Sequence, residues 1–175
     1  MIRALGRMLR GWRAGPDLRI AEDPRFAFAP RTLELRSPAF DDGDEMSAER
    51  ASPPLAWTGV PAGTRTLALV IEDIDVPLPR PFVHAVAYAI DPATTSLAPG
   101  ELDDSQLPLG LNSARGTAYR PPRPLPGHGR HRYIFTLLAV DFVPHFDQPP
   151  SRGRLLDAIA GHVIALGELT GTHER

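Results

Sequence analysis

A chain of 175 residues with 42% apolar and 23% charged residues is large enough for one packed core and too apolar to be disordered throughout. It has no cysteine, which excludes disulfide frameworks, thiolate metal sites and cysteine nucleophiles. A formal charge of −2 is too balanced for a surface built to bind nucleic acid, and every basic residue is arginine, so any anion site relies on guanidinium or imidazole.

The chain opens with Ile2, Leu5, Leu9 and Trp12 at helical spacing, interleaved with Arg3, Arg7, Arg10 and Arg13 and no acid. Two readings stand for this segment: a short helix docked on the domain or on a second copy, or a helix lying on a membrane surface. No long apolar stretch or cleavage site follows, so a secretory signal is not expected and the cytoplasm is favoured. Residues 1–15 are read as a basic amphipathic segment and residues 16–175 as a single domain.

The body reads as mainly β. Residues 31–36 alternate polar and apolar side chains, the pattern of a half-buried strand. Residues 66–71 are nearly all apolar and suit a central strand covered on both faces. Strands are also expected over 82–90 and 133–140, with alternation placing Phe82, His84, Val86 and Tyr88 on one face. Twenty prolines and 15 glycines crowd the connections, above all the long one from 91 to 132. Loops of that length inside a domain are usually functional. The last element is expected to be a helix, capped by Ser151, carrying Leu155, Leu156, Ile159, Val163, Ile164 and Leu166 on one stripe and ended by Gly167. No apolar run approaches the about 20 residues of a membrane span.

Three segments carry candidate chemistry. Glu72, Asp73 and Asp75 follow directly on the most apolar strand, ahead of Pro77. A carboxylate there is costly unless hydrogen-bonded or paired; an Asp turn and a functional acid both meet that condition. His84 sits inside an apolar strand, as a satisfied core residue or as a site residue. The loop from Tyr119 to Tyr133 holds Pro121, Pro122, Pro124 and Pro126, then Gly127, His128 and Gly129, and feeds His131 and Tyr133 onto one face of a strand. A polyproline ligand for SH3 or WW domains is a weaker reading of the same loop. Metal ligation by Asp73, Asp75, His84 and His131 lacks helical ligand spacing. Hydrolysis would have only Ser113 as a nearby hydroxyl, with no Gly-x-Ser-x-Gly elbow.

These segments together resemble the phosphatidylethanolamine-binding protein (PEBP) family, in its bacterial, Raf-kinase-inhibitor-like branch. The matching motifs are Ser52-Pro53-Pro54-Leu55-Ala56-Trp57, Asp73-x-Asp75-x-Pro77, Phe82-Val83-His84, Gly110-Leu111-Asn112, Pro122-x-Pro124 and Gly127 through Tyr133. The resemblance implies an antiparallel β-sandwich, a large central sheet plus a small one, with peripheral helices including a C-terminal helix. It also implies a small anion pocket at one end of the central sheet, lined by Asp73, Pro77, His84, Pro121, Pro122, His131 and Tyr133. Here the family's usual Asp-Pro-Asp reads Asp73-Ile74-Asp75, Ala85 replaces the Trp after the pocket His, and Gly-Pro-Cys-Pro reads Pro121-Pro122-Arg123-Pro124. Pro121 removes an N–H that could face an anion, and Arg123 is placed to supply charge instead.

The expected function is therefore non-enzymatic binding of a small anionic ligand, of phosphate type or a phospholipid headgroup, with no cofactor and no metal. His84, His131 and Tyr133 would be the donors and Asp73 the acid that orients a ring. The alternative is a regulatory interaction protein, similar to kinase or protease inhibitors, contacting a protein partner through the proline-rich loop. A homodimer is also compatible with the sequence.

Overall fold

The computed structural model describes residues 2–103 and 107–175. Residue 1 of the basic segment and residues 104–106 of the expected long connection lie outside the described residues. Helix α1 (Ile2–Met8) is followed by three short 3-10 turns between Pro16 and Phe26. The strands are β1 (Glu34–Arg36), β2 (Leu55–Thr58), β3 (Thr66–Asp73), β4 (Phe82–Ile90), β5 (Ser96–Leu97), β6 (His131–Val140) and β7 (Val163–His173). Helix α2 (Arg152–Ile159) lies between the last two strands. The fold is mainly β, in two antiparallel sheets. The larger has the order β4-β3-β6-β7 and the smaller β1-β2-β5. No helix among the described residues is long and apolar enough to cross a membrane.

Strand β3 is the most buried element because both of its faces are covered. Leu67, Leu69 and Ile71 face the small sheet, packing with Trp57, Leu55 and Phe135. Ala68 and Val70 face the other way, against Leu155, Leu156 and Ile159 of α2 and against Ile20 and Phe26 of the N-terminal turns. This two-sided burial explains why β3 lacks polar alternation. Its last two residues therefore part company. Glu72 is directed to the α2 side, where Arg152 meets it at 2.5 Å. Asp73 emerges on the small-sheet side, opposite Tyr133.

Three sequence expectations change here. The predicted terminal helix stops at Ile159, and residues 163–173 form the edge strand β7, paired with β6 along its length. Ser151 does cap α2, accepting from the Arg154 N–H. Val163 to Leu166 are four consecutive apolar residues, which fit a helical stripe and a strand equally well. Gly161, at φ +81°, turns the chain, and the open edge of β6 then provides the hydrogen bonds. Gly167, expected to end a helix, instead sits in mid-strand where Leu33 crosses; a Cβ there would come within 2.1 Å of the Leu33 carbonyl oxygen. Strand β1 is also shorter than the expected 31–36, because the Leu33 N–H is donated to the Leu166 carbonyl rather than to β2.

The third correction concerns His84. Ile71 pairs with Ala85 while Glu72 pairs with Val83, so His84 is the extra residue of a β-bulge. The bulge breaks the expected alternation. Val86 packs on the α2 side with Tyr88 against it, whereas His84 packs edge-on against Tyr133 on the small-sheet side, with ring centroids 5.1 Å apart.

Two outcomes test this architecture. Gly167→Ala forces β7 away from Leu33 and should lower unfolding free energy by about 1–3 kcal/mol in urea denaturation. Burial pushes the Glu72 carboxyl up to about 7, and the Arg152 guanidinium only partly offsets this. A raised carboxyl favours the folded state fully below its ordinary value of 4.5 and loses that contribution as pH rises through about 7. Glu72→Gln should therefore flatten the decline in stability over that interval, read by denaturation at a series of pH values.

Candidate functional site

Five of the seven residues expected at the pocket, Asp73, Pro77, His84, Pro121 and His131, line one cavity of about 520 Å³. Its walls are mostly apolar, with Leu78, Phe82 and Leu125, and Arg120, Arg123 and Arg175 are the cations among its lining residues. Tyr133 and Pro122 are buried and do not line it. Tyr133 lies beneath His84, and its hydroxyl makes no hydrogen bond of normal geometry with the protein. Burial and the neighbouring Asp73 carboxylate push that hydroxyl well above its ordinary value, so it stays protonated.

The bulge presents His84 to loop residue Arg120 at two points. The Arg120 N–H donates to the His84 carbonyl at 2.9 Å, and His84 Nδ1 donates to the Arg120 carbonyl at 2.6 Å. A carbonyl only accepts, so Nδ1 carries the hydrogen. Among the described residues, Nε2 is the ring nitrogen without a protein partner. Burial lowers the pKa of His84 below its ordinary 6.5, against the raising effect of the Arg120 carbonyl and Asp73. At neutral pH Nε2 is therefore a lone pair, and it becomes a donor only when the ring takes a proton.

His131 is held differently. Its Nδ1 lies 2.7 Å from Asp73 Oδ2 and its Nε2 lies 2.8 Å from His128 Nδ1. His128 Nε2 donates to the carbonyls of Leu9 and Trp12, at 2.8 and 3.1 Å. The three side chains form one hydrogen-bonded chain that ends on backbone. Both nitrogens of His131 are thus committed inside the protein, and neither is left for a ligand as the sequence reading expected. His131 is a positioning residue that fixes Asp73 at the cavity floor, much as carboxylates orient ligand histidines.

Asp75 does not line the cavity. It accepts from the Arg132 backbone N–H and from two nitrogens of the Arg132 side chain, and Arg13 reaches it at 2.8 Å. Burial alone would raise its carboxyl; the hydrogen bonds from Arg132 and Arg13 outweigh that and hold it at about 2. No group of three or more potential metal ligands occurs among the described residues.

The sequence reading missed Arg175, brought to the cavity because β7 pairs with β6 and the Arg175 carbonyl accepts from the Gly127 N–H. Nothing local marks a terminal arginine as a site residue. It also missed the role of His128, whose only signal was its place between two glycines. A second cleft, of about 590 Å³, lies beside the start of α2 with Arg19, Arg80, Arg152 and Ser113 on its walls, away from the expected residues.

The lowered Asp75 carboxyl stabilises the fold above its ordinary value near 3.8 and ceases to do so as pH falls toward 2. Asp75→Asn should therefore lower stability at neutral pH and flatten the acid limb of the stability profile, measured by thermal unfolding between those limits.

With this geometry in place, comparison with known proteins is direct. The family model described as phosphatidylethanolamine-binding protein matches residues 36–174. The UPF0098 protein of Methanothermobacter thermautotrophicus is 34% identical over 153 residues, covering 82% of this chain and 99% of that protein. The UPF0098 protein of Chlamydia trachomatis is 34% identical over 154 residues, with the same coverage. Among solved structures, a putative PEBP homologue from Chlamydia trachomatis superposes with a TM-score of 0.76 at 34% identity, over 83% of this chain and 99% of that one. The E. coli protein YbcL, described as a new member of the mammalian PEBP family, gives the same TM-score at 20% identity over 82% of this chain and 99% of its own, a likeness of fold. Family model, sequence relatives and sandwich architecture agree: the chain belongs to the phosphatidylethanolamine-binding protein family.

Proposed function

We propose that this protein is a non-enzymatic binding protein whose cavity takes a ligand bearing a phosphate-type anion, of the kind found in a phospholipid headgroup. The observation that carries this reading is the setting of His84. It lines the cavity, is fixed through Nδ1, and its Nε2 has no protein partner among the described residues. An oxyanion beside Nε2 stabilises the protonated ring and gains a charge-assisted hydrogen bond. Arg120, Arg123 and Arg175 add positive charge to the cavity wall.

The size and lining of the cavity also support it. About 520 Å³ lies within the range of small-molecule sites and exceeds what a bare phosphate fills. Leu78, Phe82, Leu125 and the prolines suit the carbon atoms attached to the anion. The cavity-lining residues among those described include no hydroxyl or thiol to act as a nucleophile, which favours binding over covalent catalysis.

Calorimetric titration with glycerophosphoethanolamine, a phosphodiester of fixed charge across this range, tests the reading. Because burial lowers the His84 pKa, binding must take up a proton, and affinity should rise at least roughly threefold between about pH 8 and about pH 5.5. His84→Ala should weaken binding and remove the pH dependence. Absence of heat at both pH values, or a His84→Ala variant that binds like the parent, would overturn it.

A further inference from the structure

Helix α1 is mounted on the domain the wrong way round for a globular helix. Such helices bury their apolar stripe. Here Leu5 is 49% exposed, Ile2 62% and Met8 81%, and Trp12, just past the turn that follows α1, is 70% exposed. What touches the body is backbone and arginine. A Cβ on Gly6 would come within 2.2 Å of the Pro126 carbonyl oxygen, and one on Gly127 within 2.6 Å of the Arg3 carbonyl oxygen. Arg10 Nε donates to the Gly127 carbonyl at 2.8 Å, and Arg13 reaches both Asp75 and the Arg130 carbonyl. His128 holds the carbonyls of Leu9 and Trp12. Ala14 and Gly15 then donate to the carbonyls of Val76 and Ile74. At about 100° per residue, Leu5 stands about 100° and Met8 about 160° round the helix from Gly6, so these two side chains point away from the docked face.

The charge around this face has one sign. Arg3, Arg7, Arg10 and Arg13 are the only charged side chains between residues 2 and 16. Arg10 and Arg13 are turned to the body, so a second copy seated on the face would set Arg3 and Arg7 against the same pair, a repulsive arrangement. An anionic surface complements them. Trp12 and Met8 beside arginines form the residue set of a helix lying in a lipid interface. The loop under α1 runs through Leu125 and Pro126, which also line the cavity, where the exposed Leu78 stands as well. Helix and cavity thus share one end of the molecule.

We propose that this end rests on an anionic lipid bilayer, with Leu5, Met8 and Trp12 inserted at the interface and Arg3 and Arg7 against the phosphates. The rigid mount of α1 then holds the cavity beside the bilayer. This does not depend on what the cavity binds. A single short helix gives weak, reversible and salt-sensitive attachment.

The test is co-sedimentation of the full chain with vesicles of phosphatidylcholine alone or with about one third phosphatidylglycerol. Partitioning should be at least tenfold stronger on the anionic vesicles and should fall in high salt. Of the two tryptophans, Trp57 is buried at 1% exposure, so a blue shift of emission on binding reports Trp12. The double variant M8S/W12S should lose that partitioning roughly tenfold with an unchanged melting temperature, and R3Q/R7Q should lose the preference for anionic vesicles. Equal partitioning on both vesicle types, or an unaltered M8S/W12S, overturns the proposal. So does a concentration-dependent dimer in sedimentation velocity that M8S/W12S abolishes, because the face would then belong to a second copy.

Discussion

The burial of Asp73 is the constraint from which the site follows. A carboxylate 2% exposed at the end of the central strand must be fully partnered. One oxygen accepts from the Asp75 N–H and the other faces His131. His128 extends the contact from His131 to two backbone carbonyls that only accept. Those carbonyls belong to the N-terminal segment. The acid at the cavity floor and the docking of α1 are thus parts of one hydrogen-bonded chain.

Glu72 and Asp73 show how a strand separates two tasks. Adjacent residues on β3 point to opposite faces. Glu72 meets Arg152 of α2 and ties the helix to the sheet, while Asp73 faces the small-sheet side and the cavity. The bulge at His84 then departs from strict alternation at the one place where it matters, turning an imidazole toward Tyr133 and the cavity rather than toward α2. Bulges beside binding sites commonly re-aim a side chain in this way. Arg120 holds the re-aimed ring from the loop, so the cavity is closed by two segments 36 positions apart in the chain.

The N-terminal segment lies outside the part of the chain that matches the family, and the relatives are matched over nearly their full length. It is nevertheless joined to the site by Arg13 on Asp75 and by His128. The family core thus provides the sheets and the cavity, and this chain adds a basic, outward-facing apolar helix against the cavity's own loop.

Much of this was legible in the residues. The unbroken apolar run of β3 announced two-sided burial, the periodicities of β4 and β6 set their ranges to within two residues, and the ordered motifs around Asp73, His84 and His131 pointed to the family and to five of the residues that line the cavity. The end of the chain was misread because four apolar residues in a row satisfy both periods, and only the open edge of β6 made them a strand. The face of His84, the His128 contact on the second nitrogen of His131 and the approach of Arg175 could not be read either. Each depends on which segments become neighbours after folding, and a hydrogen-bond partner 36 or 117 positions away leaves no local trace. The sequence by itself determined what must be buried, what must be paired and which family the chain joins. Tertiary packing alone decided which partner each buried polar group found, because hydrogen bonds are set by distance and direction in space.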